Sequence, residues 1–196
     1  MTAWFVDNWS RVALPAAIVL LLSLPILQVA DNRNLIVLYV LLPLYMIHQF
    51  EEHSRGAFVA DFNATVGKGY PVLTKVSAFW INILLVWVLF LVVFASVRLG
   101  TTLFVFVPIY ATLLNGLIHI GTTLAMRRYN PGLYTSLALF LPWSIFCLVF
   151  FSRLDPAAWR DNLIGVAGGI LAHAVIIAYA VTRRRRLEAM SPLPGR

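Results

Sequence analysis

Six long apolar runs, at residues 12–29, 35–47, 76–97, 103–126, 134–151 and 162–181, constrain this chain more than any other feature. A membrane-crossing helix needs about 20 mostly apolar residues. Each run meets or approaches that length, the second by continuing into the polar residues that follow it. A soluble fold has nowhere to hide so much apolar surface: 61% of the 196 residues are hydrophobic, 12% are charged, and the mean hydropathy is +0.85. Within lipid the backbone must satisfy its own hydrogen bonds, and a helix does so inside one segment. The expected fold class is all-α, a polytopic membrane bundle of about six transmembrane helices. It forms one integral membrane domain over residues 1–196, its core at 35–181, with no separate soluble module. Pro15, Pro25, Pro43, Pro108 and Pro142 lie inside the runs, where neighbouring helices and waters re-satisfy freed carbonyls. No internal repeat is visible.

Orientation follows from Lys and Arg. With the N-terminus inside, eleven of the fifteen basic residues fall on the cytoplasmic side, and only Arg33, Arg98, Arg153 and Arg160 fall outside. The positive-inside rule then predicts N-in and C-in, a multi-pass protein of the cell (inner) membrane. Trp4, Phe5 and Trp9 fit an interfacial aromatic belt. The first run exceeds the apolar stretch of a secretory signal, about 7–15 residues. Gln28 also suits the small-residue cleavage pattern before Ala30 poorly, so this run is expected to persist as a span. The net charge of +7 serves topology, with Arg183 to Arg186 as a stop-transfer run that can also meet anionic lipid. It implies membrane lipids and no nucleic acid as partners. The single cysteine, Cys147, excludes an internal disulfide and a thiolate metal site. Residues 54–71 are expected as a cytoplasmic interfacial helix followed by a glycine-rich turn, and GKGYP lacks phosphate-loop spacing.

The second run ends in HQFEEH, His48 to His53. Ionisable groups at membrane depth are costly and mark functional sites. His48, Glu51 and Glu52 stand at i, i+3 and i+4, on one helical face within about 100° of arc. His53, at i+5 from His48, is expected to point elsewhere. Depth counting at about 1.5 Å per residue puts His48 and His119 roughly 10 Å, and His173 roughly 15 Å, inside the cytoplasmic boundary. Asn82 joins the same layer. One membrane imidazole alone is ordinary interhelical hydrogen bonding. Three from different spans at one depth, beside two carboxylates, predict a shared site. Asn115 lies on the face of His119. Tyr45 and Thr122 are candidate supports, and Tyr179 faces away from His173. Gly165, Gly168 and Gly169 are expected to permit close helix approach.

These motifs resemble the HXXEE family of small bacterial integral membrane proteins. His48, Glu51 and Glu52 match HxxEE, and Asn115 and His119 match NxxxH as NGLIH. Arg127 to Thr135, RRYNPGLYT, is similar to the family's loop after that span, and His173 corresponds to its third histidine motif. Tyr179 departs from the family's HxxxY spacing. The resemblance runs from the second span to the sixth and implies enzymatic character without a defined reaction. On physical grounds alone, Asn130-Pro131-Gly132 reads as a tight reversal between spans four and five.

Several functions compete. The leading one is a metal-dependent membrane enzyme acting on a small lipophilic or lipid-like substrate, as hydrolase or oxidoreductase. His48, Glu51, Glu52, His119 and His173 are the candidate ligands of a divalent metal, Zn or Fe, and Glu51, Glu52 and Asn115 the candidate catalytic groups. The alternatives are a proton or metal-ion transporter built on the same cluster, metal-free acid–base catalysis by the glutamate pair, and a structural or assembly factor. No oligomeric state is implied.

Overall fold

The computed structural model describes residues 2–26, 33–154 and 158–191. Gln28, Ala30 and Arg196, which entered the sequence reading of cleavage and charge, lie outside these residues. Among the described residues every regular element is helical. They are α1 (Thr2–Leu22), α2 (Arg33–His53), α3 (Ala57–Thr65), α4 (Lys75–Arg98), α5 (Phe106–Met126), α6 (Leu133–Leu154) and α7 (Ala158–Met190). All but α3 are long and apolar enough to cross a membrane, so the chain is a multi-pass membrane protein with six candidate spans. Each apolar run of the sequence contributes to one of them, the first only as far as Leu22, after which residues 23–26 form a turn.

Local chemistry sets the boundaries between helices. Thr74 and Ser77 form a capping box that starts α4, satisfying amides that a helix start leaves free. Asn63 of α3 binds the Leu73 amide and carbonyl through its own amide, both at 2.8 Å, and so pins the loop between them. Gly67 in that loop approaches Asn63 O so closely that a Cβ would lie 2.5 Å from it.

Three polar contacts mark one end of the bundle. Lys75 pairs with Asp7 at 2.8 Å, Arg128 binds Asp61 through both terminal nitrogens, and Arg184 donates to Val66 O at 2.8 Å. The start of α1, the end of α5 and the end of α7 therefore lie on the same side.

The core is built where α2, α4, α5 and α6 meet, around Leu41, Phe90, Phe106, Ile109, Phe140 and Cys147. Helix α1 packs on α2 through Ala13 and Ala17 against Met46. Small residues let α7 press onto α5: a Cβ on Gly165 would sit 2.4 Å from Phe106 Cβ, and one on Gly169 3.0 Å from the Ala111 amide. Lipid offers no hydrophobic drive for this contact, so close backbone approach and dispersion must supply it. Leu91, Leu124, Ile145 and Leu171 face outward, as a lipid-solvated surface requires.

Two spans change their winding. Residues Ile83–Val88 of α4 and Ser136–Phe140 of α6 are π-helical. Such wider turns occur mostly as single insertions in α-helices, often at functional sites. The second lies just before Pro142, whose ring would clash with a carbonyl of a regular α-turn.

Candidate metal-binding site

Helix α2 delivers His48, Gln49 and Glu52 into the bundle, where all three are buried. Helix α5 brings His119 to meet them, and the His48 and His119 ring centroids lie 4.8 Å apart. Glu52 is the hub. Its Oε2 lies 3.6 Å from His48 Nε2 and 3.2 Å from His53 Nε2, and its Oε1 lies 3.5 Å from His119 Nε2. Among the described residues, His48, Glu52 and His119 form a group able to hold a metal ion, each offering one ligand atom within 4.8 Å of the others. His48 Nε2 is buried and has no hydrogen-bond partner. A buried nitrogen without a partner is costly, and a cation between these groups would relieve it. Two imidazoles and one carboxylate are a donor set used by catalytic zinc and by non-haem iron.

The other expected residues take different positions. His53 was expected to point away, but its ring reaches Glu52 and packs against Trp9 and Phe58, at 5.0 Å and 5.1 Å between centroids. It is adjacent to the hub in sequence and stands in the last turn of α2, and the i+5 count from His48 took no account of this. Glu51 turns from the cluster toward α6. It accepts hydrogen bonds from the Thr135 hydroxyl, the Thr135 amide at 2.8 Å, the Tyr134 amide at 3.1 Å and the Tyr129 hydroxyl at 2.8 Å. Gly132, which precedes α6, supplies no side-chain cap, so Glu51 caps that helix from another span. Burial first, and then the bond to Glu51, pushes the Tyr129 phenol up to about 12. His173 stands apart from the three-ligand group, its Nδ1 lying 2.8 Å from Gly169 O one turn earlier, but it lines the adjoining cavity. Asn115 lines that cavity too, donating to Tyr45 Oη at 3.0 Å while its Oδ1 is buried without a partner.

Several contributors went unnoticed as site residues in the sequence. Gln49 accepts from Trp87 Nε1 at 2.7 Å and donates to Asn82 Oδ1 at 2.9 Å, bracing the end of α2 against α4. Asn130 Nδ2 lies 3.0 Å from His119 Nδ1. Thr135 Oγ1 lies 2.8 Å from His48 Nδ1. Phe140, from the π segment, stacks on His48 at 4.2 Å. All of these but Gln49 and Phe140 come from, or contact, the RRYNPGLYT stretch, so its likeness to a family loop was the available signal.

The cavity beside the cluster has a volume of about 230 Å³. Glu52, His53, His119 and Asn130 line it, as do Asp61, Asn82, Asn115 and His173, but most of its surface is apolar, with Phe58, Phe62, Val86, Ile118 and Ile177 among its walls. Ile118 and Ile177 are themselves about half exposed, 50% and 45%. The cavity wall therefore includes half-exposed side chains on α5 and α7.

Fold and site together define a polytopic helical membrane protein with a buried His/Glu cluster fit for a metal ion. A family model described as a protein of unknown function with HXXEE motif matches residues 39–147. The chain belongs to that family, whose match includes His48, Glu52 and His119. No curated protein and no solved structure matches it.

Proposed function

We propose that this chain is a metal-dependent enzyme of the inner membrane, with N-terminus and C-terminus inside, that acts on a lipophilic or lipid-like substrate. One observation carries the reading: Glu52 and His119 of the buried His48–Glu52–His119 group line a mostly apolar cavity, and His48 Nε2 beside them has no hydrogen-bond partner. The half-exposed Ile118 and Ile177 of its wall would admit the substrate from lipid. His48, Glu52 and His119 would hold a divalent zinc or iron ion. Such an ion supplies Lewis acidity or redox capacity in a water-poor site. The protein's own groups do the rest. Apolar walls accommodate the substrate chain, Asn115 offers a polar contact along it, and His53 and Asn130 brace Glu52 and His119. Membrane lipids are the expected surroundings and source of substrate. A transport reading finds less support, because among the described residues no imidazole or carboxylate outside the His48–Glu52–His119 group is buried, and Phe90, Val93, Phe106, Ile109 and Phe151 pack the core.

The test is metal analysis of the detergent-purified chain. About one divalent ion per chain is expected, with loss in Glu52→Ala and His119→Ala variants that remain folded. Folded, active protein free of metal would overturn the reading.

A further inference from the structure

The cluster leaves out the first glutamate of HxxEE. We propose that Glu51 is a positioning residue: through Thr135 it holds His48 in the Nδ1–H tautomer, with Nε2 presented to Glu52 as a ligand nitrogen. The ligand half of this statement rests on the metal reading above, and the tautomer half does not.

The argument is a count of hydrogens. The Thr135 hydroxyl has one proton and two lone pairs. It lies in close contact with Glu51 Oε2, the same oxygen that accepts the Thr135 amide. An ionised carboxylate only accepts, so the hydroxyl proton must lie between Thr135 and Glu51. Were it turned instead to Gly132 O at 3.3 Å, two oxygen lone pairs would face each other across the shortest contact of the site. What the hydroxyl presents to His48 is therefore a lone pair, 2.8 Å from Nδ1. His48 Nδ1 must donate. A neutral imidazole protonated there carries its lone pair on Nε2, the buried atom that has no other partner.

The ring has no freedom to escape this assignment. Phe140 stacks on one face at 4.2 Å, and the Gly132 backbone packs so near Cε1 that a Cβ would lie 2.7 Å away. Glu51 is itself fixed by four donors from the 129–135 stretch. The two adjacent glutamates thus divide their tasks. Glu52 faces the cluster directly, and Glu51 acts on the same cluster through one hydroxyl and the far side of one imidazole. Outer partners of this kind fix ligand tautomers, and their loss typically weakens metal affinity by about 10–100-fold.

The experiment uses full-length protein in detergent. Nitrogen NMR of ¹⁵N-histidine-labelled, metal-free protein is expected to give the Nδ1–H signature for His48, assigned by its loss in His48→Gln. Thr135→Val should mix the tautomers, and Thr135→Ser should restore them. Competition against a chromophoric zinc chelator should find Zn²⁺ about 10–100-fold weaker in Thr135→Val and near wild type in Thr135→Ser. An Nε2–H His48 in the wild type would overturn the proposal, whatever the variants do. Equal zinc affinity in wild type and Thr135→Val would overturn the positioning role and leave the metal site standing. A wild type that shows Nδ1–H His48 but binds no zinc would remove the metal reading and keep the tautomer assignment.

Discussion

Gly132 has little room to be any other residue. Its φ of +99° suits glycine, and a Cβ there would lie 2.7 Å from His48 Cε1 and 2.8 Å from His119 Cε1. Gly132→Ala is expected to cost about 1–2 kcal/mol for the left-handed backbone alone, and further to push the two imidazoles apart. Thermal unfolding and metal content measured on the same preparation check this, and an unchanged melting temperature with full metal load would count against it. The turn was legible in the sequence as Asn-Pro-Gly. Its contact with His48 was not, because that contact joins residues far apart in the chain. His53 shows the same limit differently. A helical wheel centred on His48 sends it away, but its imidazole needs only to reach the carboxylate of its own neighbour. The same wheel put Glu51 on the face of His48 and Glu52, but adjacent residues on a helix are about 100° apart, enough for Glu51 to meet α6 while Glu52 meets the imidazoles.

Helices α2 and α6 are joined by a cap that neither could form alone. Glu51→Ala leaves the Tyr134 and Thr135 amides without their acceptor, and the loss is expected to be about 1–3 kcal/mol. Hydrogen exchange should quicken at residues 134 and 135 while the amides of α5 hold their protection. Exchange spread evenly over the bundle would instead mean that the residue acts through global stability. The α5–α7 contact offers a second check. Gly165→Val drives side-chain atoms into Phe106 and is expected to lower the melting temperature more than Gly121→Val, since a Cβ at Gly121 meets nothing within 4 Å. Span number and the glycine contact were readable because both follow from length and residue size. The π segments were not, because they depend on which neighbouring side chains a widened turn must accommodate. His173 was placed at the right depth to join the cavity wall, but depth counting says nothing of its bond to the Gly169 carbonyl on its own helix.

On the scale of the molecule, the basic residues set sidedness, and labelling can test it. With Cys147 buried, Lys68→Cys should react with a membrane-impermeant thiol reagent only from the cytoplasmic side, and Thr101→Cys only from outside. The reverse pattern would put the cluster in the outer half of the membrane. The common layer of His48 and His119 was legible because alternate spans run in the same direction and depth is additive along a helix. The apolar chamber beside them was not, since its walls come from five helices whose facing depends on packing. The π turn in α6 has a consequence for sequence length. A π turn holds one more residue than the α turn it replaces, so deleting a single residue between Ser136 and Phe140 would restore regular winding. Every side chain beyond the deletion would then rotate by about 100° relative to Thr135. Either Phe140 would leave the His48 ring or the outer half of α6 would turn its buried Ser144, Cys147 and Phe151 toward lipid. The spacing between the cap and the far end of that span is therefore fixed to the residue, and a shortened span should fail even where its composition remains fully apolar.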